Sequence, residues 1–160
     1  MRNRQEQVTR PNRRRQGFAM PKQLTQRAWA AGFFDGEGYI SVRNRTTNTT
    51  KQKCIDVELV VSNTSEASII RLQSLFGGYI QHFSPKKINL KPFWRWTGTP
   101  NIARIFLKAT LPYLVVKKEQ AEMALEILNL KNFQRTAERY EREAALLLKI
   151  NNLTKRGNSH

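Results

Sequence analysis

The chain has 160 residues, the size of one ordinary domain, and 39% of them are hydrophobic, enough for a core without disulfide or metal staples. With 28 Lys and Arg against 12 Asp and Glu it carries a formal charge of +16, so a polyanion, above all a nucleic acid, is the expected partner. A lone cysteine, Cys54, and two distant histidines, His82 and His160, exclude an intrachain disulfide and a structural zinc site. No run approaches the ~20 apolar residues of a membrane span and no signal-peptide core follows the N-terminus, so the expectation is a soluble intracellular protein with no membrane partner, in a prokaryotic cytoplasm or an organelle.

Residues 1–22 hold Arg2, Arg4, Arg10, Arg13, Arg14 and Arg15 among polar residues and lack apolar periodicity, which predicts a flexible basic arm. From Leu24 to Asp35 the spacing is helical, with Thr25 as a cap and Gly36 and Gly38 as the stop. Two β-rich runs follow, Tyr39–Arg45 and Cys54–Val61, joined by the polar stretch Thr46–Thr50 as a hairpin. Ser65 caps a predicted helix from Glu66 to Phe76, with Ile69, Ile70, Leu72, Leu75 and Phe76 on its apolar face and Gly77-Gly78 as a left-handed end. A second hairpin pairs Tyr79–Phe83 with Lys91–Thr97 across the Ser84–Lys87 turn. Thr99-Pro100 opens a helix to about Leu111, and Lys117–Asn129 and Thr136–Asn151 are two more amphipathic helices. The pattern of hairpin plus helix thus occurs twice. Such an α+β chain can join its hairpins in one antiparallel sheet, with helices on the apolar side and the other side free.

The most informative string is Trp29-Ala30-Ala31-Gly32-Phe33-Phe34-Asp35-Gly36-Glu37-Gly38, immediately before a strand. Ala28, Gly32 and Gly36 stand four apart, so a helical path aligns minimal side chains where another backbone can approach. Asp35 and Glu37 fall at the C-terminal end, where the helix dipole disfavours carboxylates unless a cation or hydrogen-bond donors offset them.

This string resembles the LAGLIDADG motif: Ala30 stands at its first leucine, Ala31 and Gly32 match, Phe33 and Phe34 are apolar substitutes, and Gly36 and Glu37 take its alanine and second aspartate. The resemblance implies an αββαββα core over residues 23–131, with a four-stranded antiparallel sheet forming a DNA-binding saddle, and residues 132–160 as a C-terminal helix and tail. It also implies a homing endonuclease that hydrolyses both strands of a long, nearly palindromic DNA site with Mg2+ or Mn2+, and that is intron-encoded. One motif per chain implies a homodimer, packed through Ala28, Ala31, Gly32, Asp35 and Gly36. By the same resemblance Glu37 is the metal-binding catalytic acid, Asp35 supports the helix terminus, Asn63 orients water, and Lys117, or else Lys118, stabilises charge on the phosphate. An RNA maturase acting on intron RNA and a non-cleaving DNA-binding regulator are the alternatives.

Strand alternation places Tyr39, Ser41, Arg43 and Arg45 opposite Ile40 and Val42, and Asp56 and Glu58 opposite Ile55, Val57 and Leu59. The polar set is the expected DNA face, continued by Gln81 and Phe83, with Arg95 outward between two inward tryptophans; a one-residue slip would reverse the last strand. Arg43 and Arg45 suit guanine, and Asp56 and Glu58 suit cytosine amines or the orientation of those arginines. Lys51, Lys53, Lys86, Lys87 and Lys91, in or near the hairpin turns, suit phosphates.

Overall fold

The computed structural model describes residues 22–46, 53–85, 90–131 and 136–157. Five helices and four strands follow in the order α1 (Lys22–Glu37), β1 (Gly38–Thr46), β2 (Lys53–Asn63), α2 (Glu66–Phe76), β3 (Tyr79–Phe83), β4 (Phe93–Gly98), α3 (Pro100–Thr110), α4 (Lys118–Leu130) and α5 (Ala137–Gly157), with a short 3-10 turn at Leu111–Tyr113. This is the α+β arrangement expected from the sequence. The arginine-rich arm, Lys51, Lys86 and Lys87 lie outside the described residues.

The strands form one antiparallel sheet in the order β1-β2-β4-β3, so the two hairpins meet along β2 and β4. Its register pairs Gly38 with Val61, Ser41 with Glu58, Ser62 with Arg95 and Gln81 with Arg95. That register settles the direction of β4: Trp96 is fully buried and Arg95 shares the face of Tyr39, Ser41 and Gln81. On the opposite face Ile40, Val42, Ile55, Val57, Leu59, Val61 and Trp96 form a single core with the helices. All-round burial at Phe106 is aromatic, with its ring 5.1 Å from Phe34, 4.8 Å from Phe76 and 5.6 Å from Trp96. Leu146, Leu147 and Ile150 bring α5 into the same core, so this helix is no appendage.

Several element ends differ from the sequence expectation. The first helix begins at Lys22, which puts Thr25 inside it rather than at its cap, and it runs through Gly36 to Glu37. It stops where Gly38 enters the sheet: a Cβ there would lie 2.3 Å from the Phe34 ring, so only glycine lets the helix turn so closely into β1. At the end of α2, Gly77 and Gly78 take φ values of 78° and 96°, and the Trp96 indole N–H donates to the Gly77 carbonyl at 2.7 Å. The last helix continues six residues past the expected Asn151 to Gly157, because Leu146, Ile150 and Leu153 keep the apolar spacing and no breaker interrupts it.

Only Leu59–Asn63 of β2 pairs with β4. Alongside the remaining half of β2, Lys131 at the end of α4 reaches Asp56 at 3.1 Å, while Arg45 from β1 holds its other oxygen at 3.1 Å. Partial burial disfavours the Asp56 carboxylate, but the hydrogen bonds and charges of Arg45 and Lys131 outweigh it and hold Asp56 below its ordinary value. A carboxyl depressed on folding stabilises the native state above its unfolded pKa, and this contribution is lost as pH falls through the folded one. Asp56→Asn should therefore lower the midpoint of thermal unfolding at neutral pH, and the gap to the wild type should close on acidification below the ordinary carboxylate range. A gap independent of pH would show that the pair contributes nothing through charge.

Candidate active site and nucleic-acid interface

The last turn of α1 carries both motif acids, and they have different fates. The Asp35 carboxylate turns towards the segment before α4: Oδ2 accepts from the backbone N–H groups of Val115 at 2.7 Å and Val116 at 3.2 Å, and Oδ1 accepts from that of Lys117 at 3.0 Å. The Lys117 ammonium in turn donates to the Asp35 backbone carbonyl. Asp35 is thus half-buried, with its carboxylate committed to a neighbouring turn. Glu37, the final residue of the helix, is exposed, and among the described residues it has no hydrogen-bond or ion-pair partner within that range.

Lys117 is the residue that links the two. It caps α4 and lines a cleft with Gly38 and Tyr39 at the start of β1, which places its ammonium within electrostatic reach of Glu37. Burial pushes the Lys117 ammonium below the ordinary lysine value, and the Asp35 and Glu37 carboxylates oppose that shift. Lys118, by contrast, is exposed on the first turn of the helix.

Sheet register brings the third expected residue to the same end. Gly38, adjacent to Glu37, pairs with Val61, and Asn63 lies two positions further along β2. The Asn63 Oδ1 accepts from the Ser65 N–H at 2.8 Å, and Ser65 Oγ accepts from Ser68 N–H at 3.4 Å, so Asn63 closes the turn that starts α2. Its carbonyl oxygen holds this turn, which fixes the side chain and leaves the amide NH2 and the oxygen's second lone pair for another group.

The small-residue face of α1 divides in two. Ala31 is fully buried in the protein's own core beside Ala30 and Phe34, so it is closed to a partner. Gly32 and Gly36 are exposed, and a Cβ added at either would meet nothing within 4 Å. Ala28 is half-buried next to them. Nothing in this fold therefore requires the two glycines to be small.

The polar sheet face carries the expected side chains. Arg43 pairs with Glu58 at 2.7 Å and Arg45 with Asp56 at 3.1 Å, each arginine remaining largely exposed. These links leave further guanidinium N–H groups free in a fixed orientation. Ser41 is half-buried, while Tyr39 and Gln81 are exposed and Lys53 and Lys91 sit exposed near the hairpin ends. Arg95 donates to Ser62 Oγ at 3.3 Å and lies 4.7 Å from the Phe83 ring centroid. Sequence reading missed Phe93, which stacks on Phe83 with centroids 5.0 Å apart, although alternation from Arg95 would have found it. It also missed Lys131, whose contact with Asp56 spans a distance in sequence that no local pattern reports.

No family model and no curated protein matches the sequence. Solved structures do. One is the homing endonuclease I-CvuI in complex with the I-CreI target in the presence of magnesium, 22% identical with a TM-score of 0.67 over 82% of this chain and 83% of that one. The archaeal intron-encoded homing endonuclease I-Vdi141I complexed with DNA is 19% identical, with a TM-score of 0.66 over 81% of this chain and 84% of that one. A structure of I-SmaMI bound to an uncleaved DNA target with calcium is 20% identical, with a TM-score of 0.64 over 79% of this chain but 45% of that one. The helix-strand order, the open antiparallel sheet and these likenesses agree: the chain has the fold of the LAGLIDADG homing endonucleases.

Proposed function

We propose that the chain is a site-specific DNA endonuclease of the homing type, dependent on a divalent metal and active as a homodimer on a nearly palindromic site. The observation that carries this reading is the exposed Glu37 carboxylate, without a hydrogen-bond or ion-pair partner among the described residues and within electrostatic reach of Lys117, at one end of an open, basic sheet face. The shared fold of DNA-bound homing endonucleases supports it.

The donor set fits a hard cation with an incomplete protein shell. Among the described residues no three His, Cys, Asp or Glu side chains converge, so this chain builds no complete protein shell for an ion there. Magnesium is commonly held by one or two carboxylates, with waters and substrate phosphate completing its shell, and manganese accepts the same oxygen ligands. Glu37 would hold the ion. When bound, such an ion supplies charge neutralisation and an activated water for phosphodiester hydrolysis. Lys117 places a fixed positive charge beside the phosphate, which favours the charge that develops there. The Asn63 NH2 is left to donate a hydrogen bond to a water or a phosphate oxygen. Across the sheet, Arg43 and Arg45, buttressed by Glu58 and Asp56, offer bidentate contacts to guanine, while Lys53 and Lys91 suit phosphates.

Two copies are required because one chain carries one motif. Exposed Gly32 and Gly36, with open space where a side chain would be, supply a surface on which a second α1 can approach closely. The chain's span of most of I-CvuI but under half of I-SmaMI is the proportion expected if two copies do the work of one longer chain.

Glu37→Gln should keep the affinity for DNA enriched by wild-type binding within a few-fold, yet lower its rate of cleavage in magnesium by at least ~100-fold, more than loss of an outer-shell partner. Wild-type cutting by this variant would refute the role of the acid. At the proposed interface, Gly32→Leu has room in the single chain but none between two helices, and analytical ultracentrifugation should show monomers. A dimer of undiminished affinity would move the interface away from α1.

A further inference from the structure

We infer that Asp35 is the positioning residue for Lys117, setting where its ammonium stands relative to Glu37; this rests on the nuclease reading above. The segment it grips has little else to hold it. Leu114 on one side and Ala121 on the other are buried, but Val115 and Val116 between them are 82% and 75% exposed. Side-chain packing therefore does not fix the turn. Lys117 caps α4 without a side-chain cap hydrogen bond, and the N–H groups of Val115, Val116 and Lys117, which lie ahead of its first turn, need an acceptor from outside the helix.

Asp35 supplies it across 80 residues of sequence. Both of its carboxylate oxygens are used, on three successive N–H groups at 2.7, 3.2 and 3.0 Å. The same residue also accepts the Lys117 ammonium through its backbone carbonyl. Lys117 is thereby held at both ends, by its main-chain N–H and by its Nζ, to one residue. This grip holds the ammonium at the end of α1, within electrostatic reach of the Glu37 carboxylate two positions further on. The charge of the carboxylate matters as well as its shape: an anion at the start of α4 meets the positive end of that helix. An asparagine offers one acceptor oxygen, and its NH2 would face an N–H donor.

The test is a double-mutant cycle on wild type, Asp35→Asn, Lys117→Met and the double variant, read as single-turnover cleavage at saturating DNA and, separately, as DNA affinity. Asp35→Asn should cut roughly 10- to 100-fold more slowly, the range seen when an outer partner of a reacting group is lost. Its DNA affinity should stay within a few-fold. In the Lys117→Met background the same change should cost nothing further, because the group it acts through is gone. Asp35→Glu, which keeps the charge but displaces it, should behave like Asp35→Asn and serves if the asparagine variant does not fold. Losses that multiply in the double variant would assign Asp35 a general structural role and overturn the inference, as would unchanged cutting by both Asp35 variants. Amide hydrogen exchange at Val115–Lys117, slow in the wild type and faster in Asp35→Asn, reads the grip without cleavage. If exchange responds but the wild type does not cut in magnesium, it is the nuclease reading that has failed.

Discussion

A carboxylate at the C-terminal end of a helix faces the negative end of its dipole, so the two acids that close α1 must be compensated. Asp35 is compensated by three N–H groups of the Val115–Lys117 turn. That single tie brings the start of α4 against the end of α1, and with it the Lys117 ammonium to Asp35 and Glu37. Glu37 is exposed and has no hydrogen-bond or ion-pair partner among the described residues. One acid of the motif is therefore tied into the fold while the other faces solvent.

Everything else at the site follows from the direction in which α1 delivers the chain. Gly38 lets Phe34 pack beneath the junction and starts β1 directly after Glu37, so the acid stands at the end of the sheet and not above its middle. The register of β1 with β2 brings Asn63 to that end, and the pairing of β2 with β4 extends the polar face across both hairpins. Helices fill the opposite side, where Phe34, Phe106 and Trp96 meet. A sheet buried on one face and polar on the other leaves a long, rigid open surface, with Glu37 and Lys117 at one end.

Much of this was legible beforehand because it is periodic. Period-two alternation identified the faces of β1 and β2, and turn chemistry at Gly77-Gly78 and Thr99-Pro100 marked the punctuation. The motif string marked the end of α1, where Asp35 and Glu37 stand. What the sequence concealed depends on contacts between distant segments: the Asp35 grip on Val115–Lys117, the reach of Lys131 to Asp56, and the choice of register in β4. Ala31 shows the limit of a small-residue stripe, since size alone does not distinguish a helix face turned to the core from one turned outward. Asn63 shows another limit. A side chain suited to orienting water is equally suited to closing a turn, and only the 2.8 Å contact with Ser65 reveals that Asn63 closes one.

If two copies of an otherwise incomplete site cut DNA together, a cleavage selection on a randomised duplex library, run with magnesium and with EDTA, will show it. Cut ends are expected on both strands in magnesium alone, at a nearly palindromic consensus. Enrichment of bound DNA without cutting would contradict paired cleavage, and so would cutting that persists in EDTA or shows no twofold symmetry.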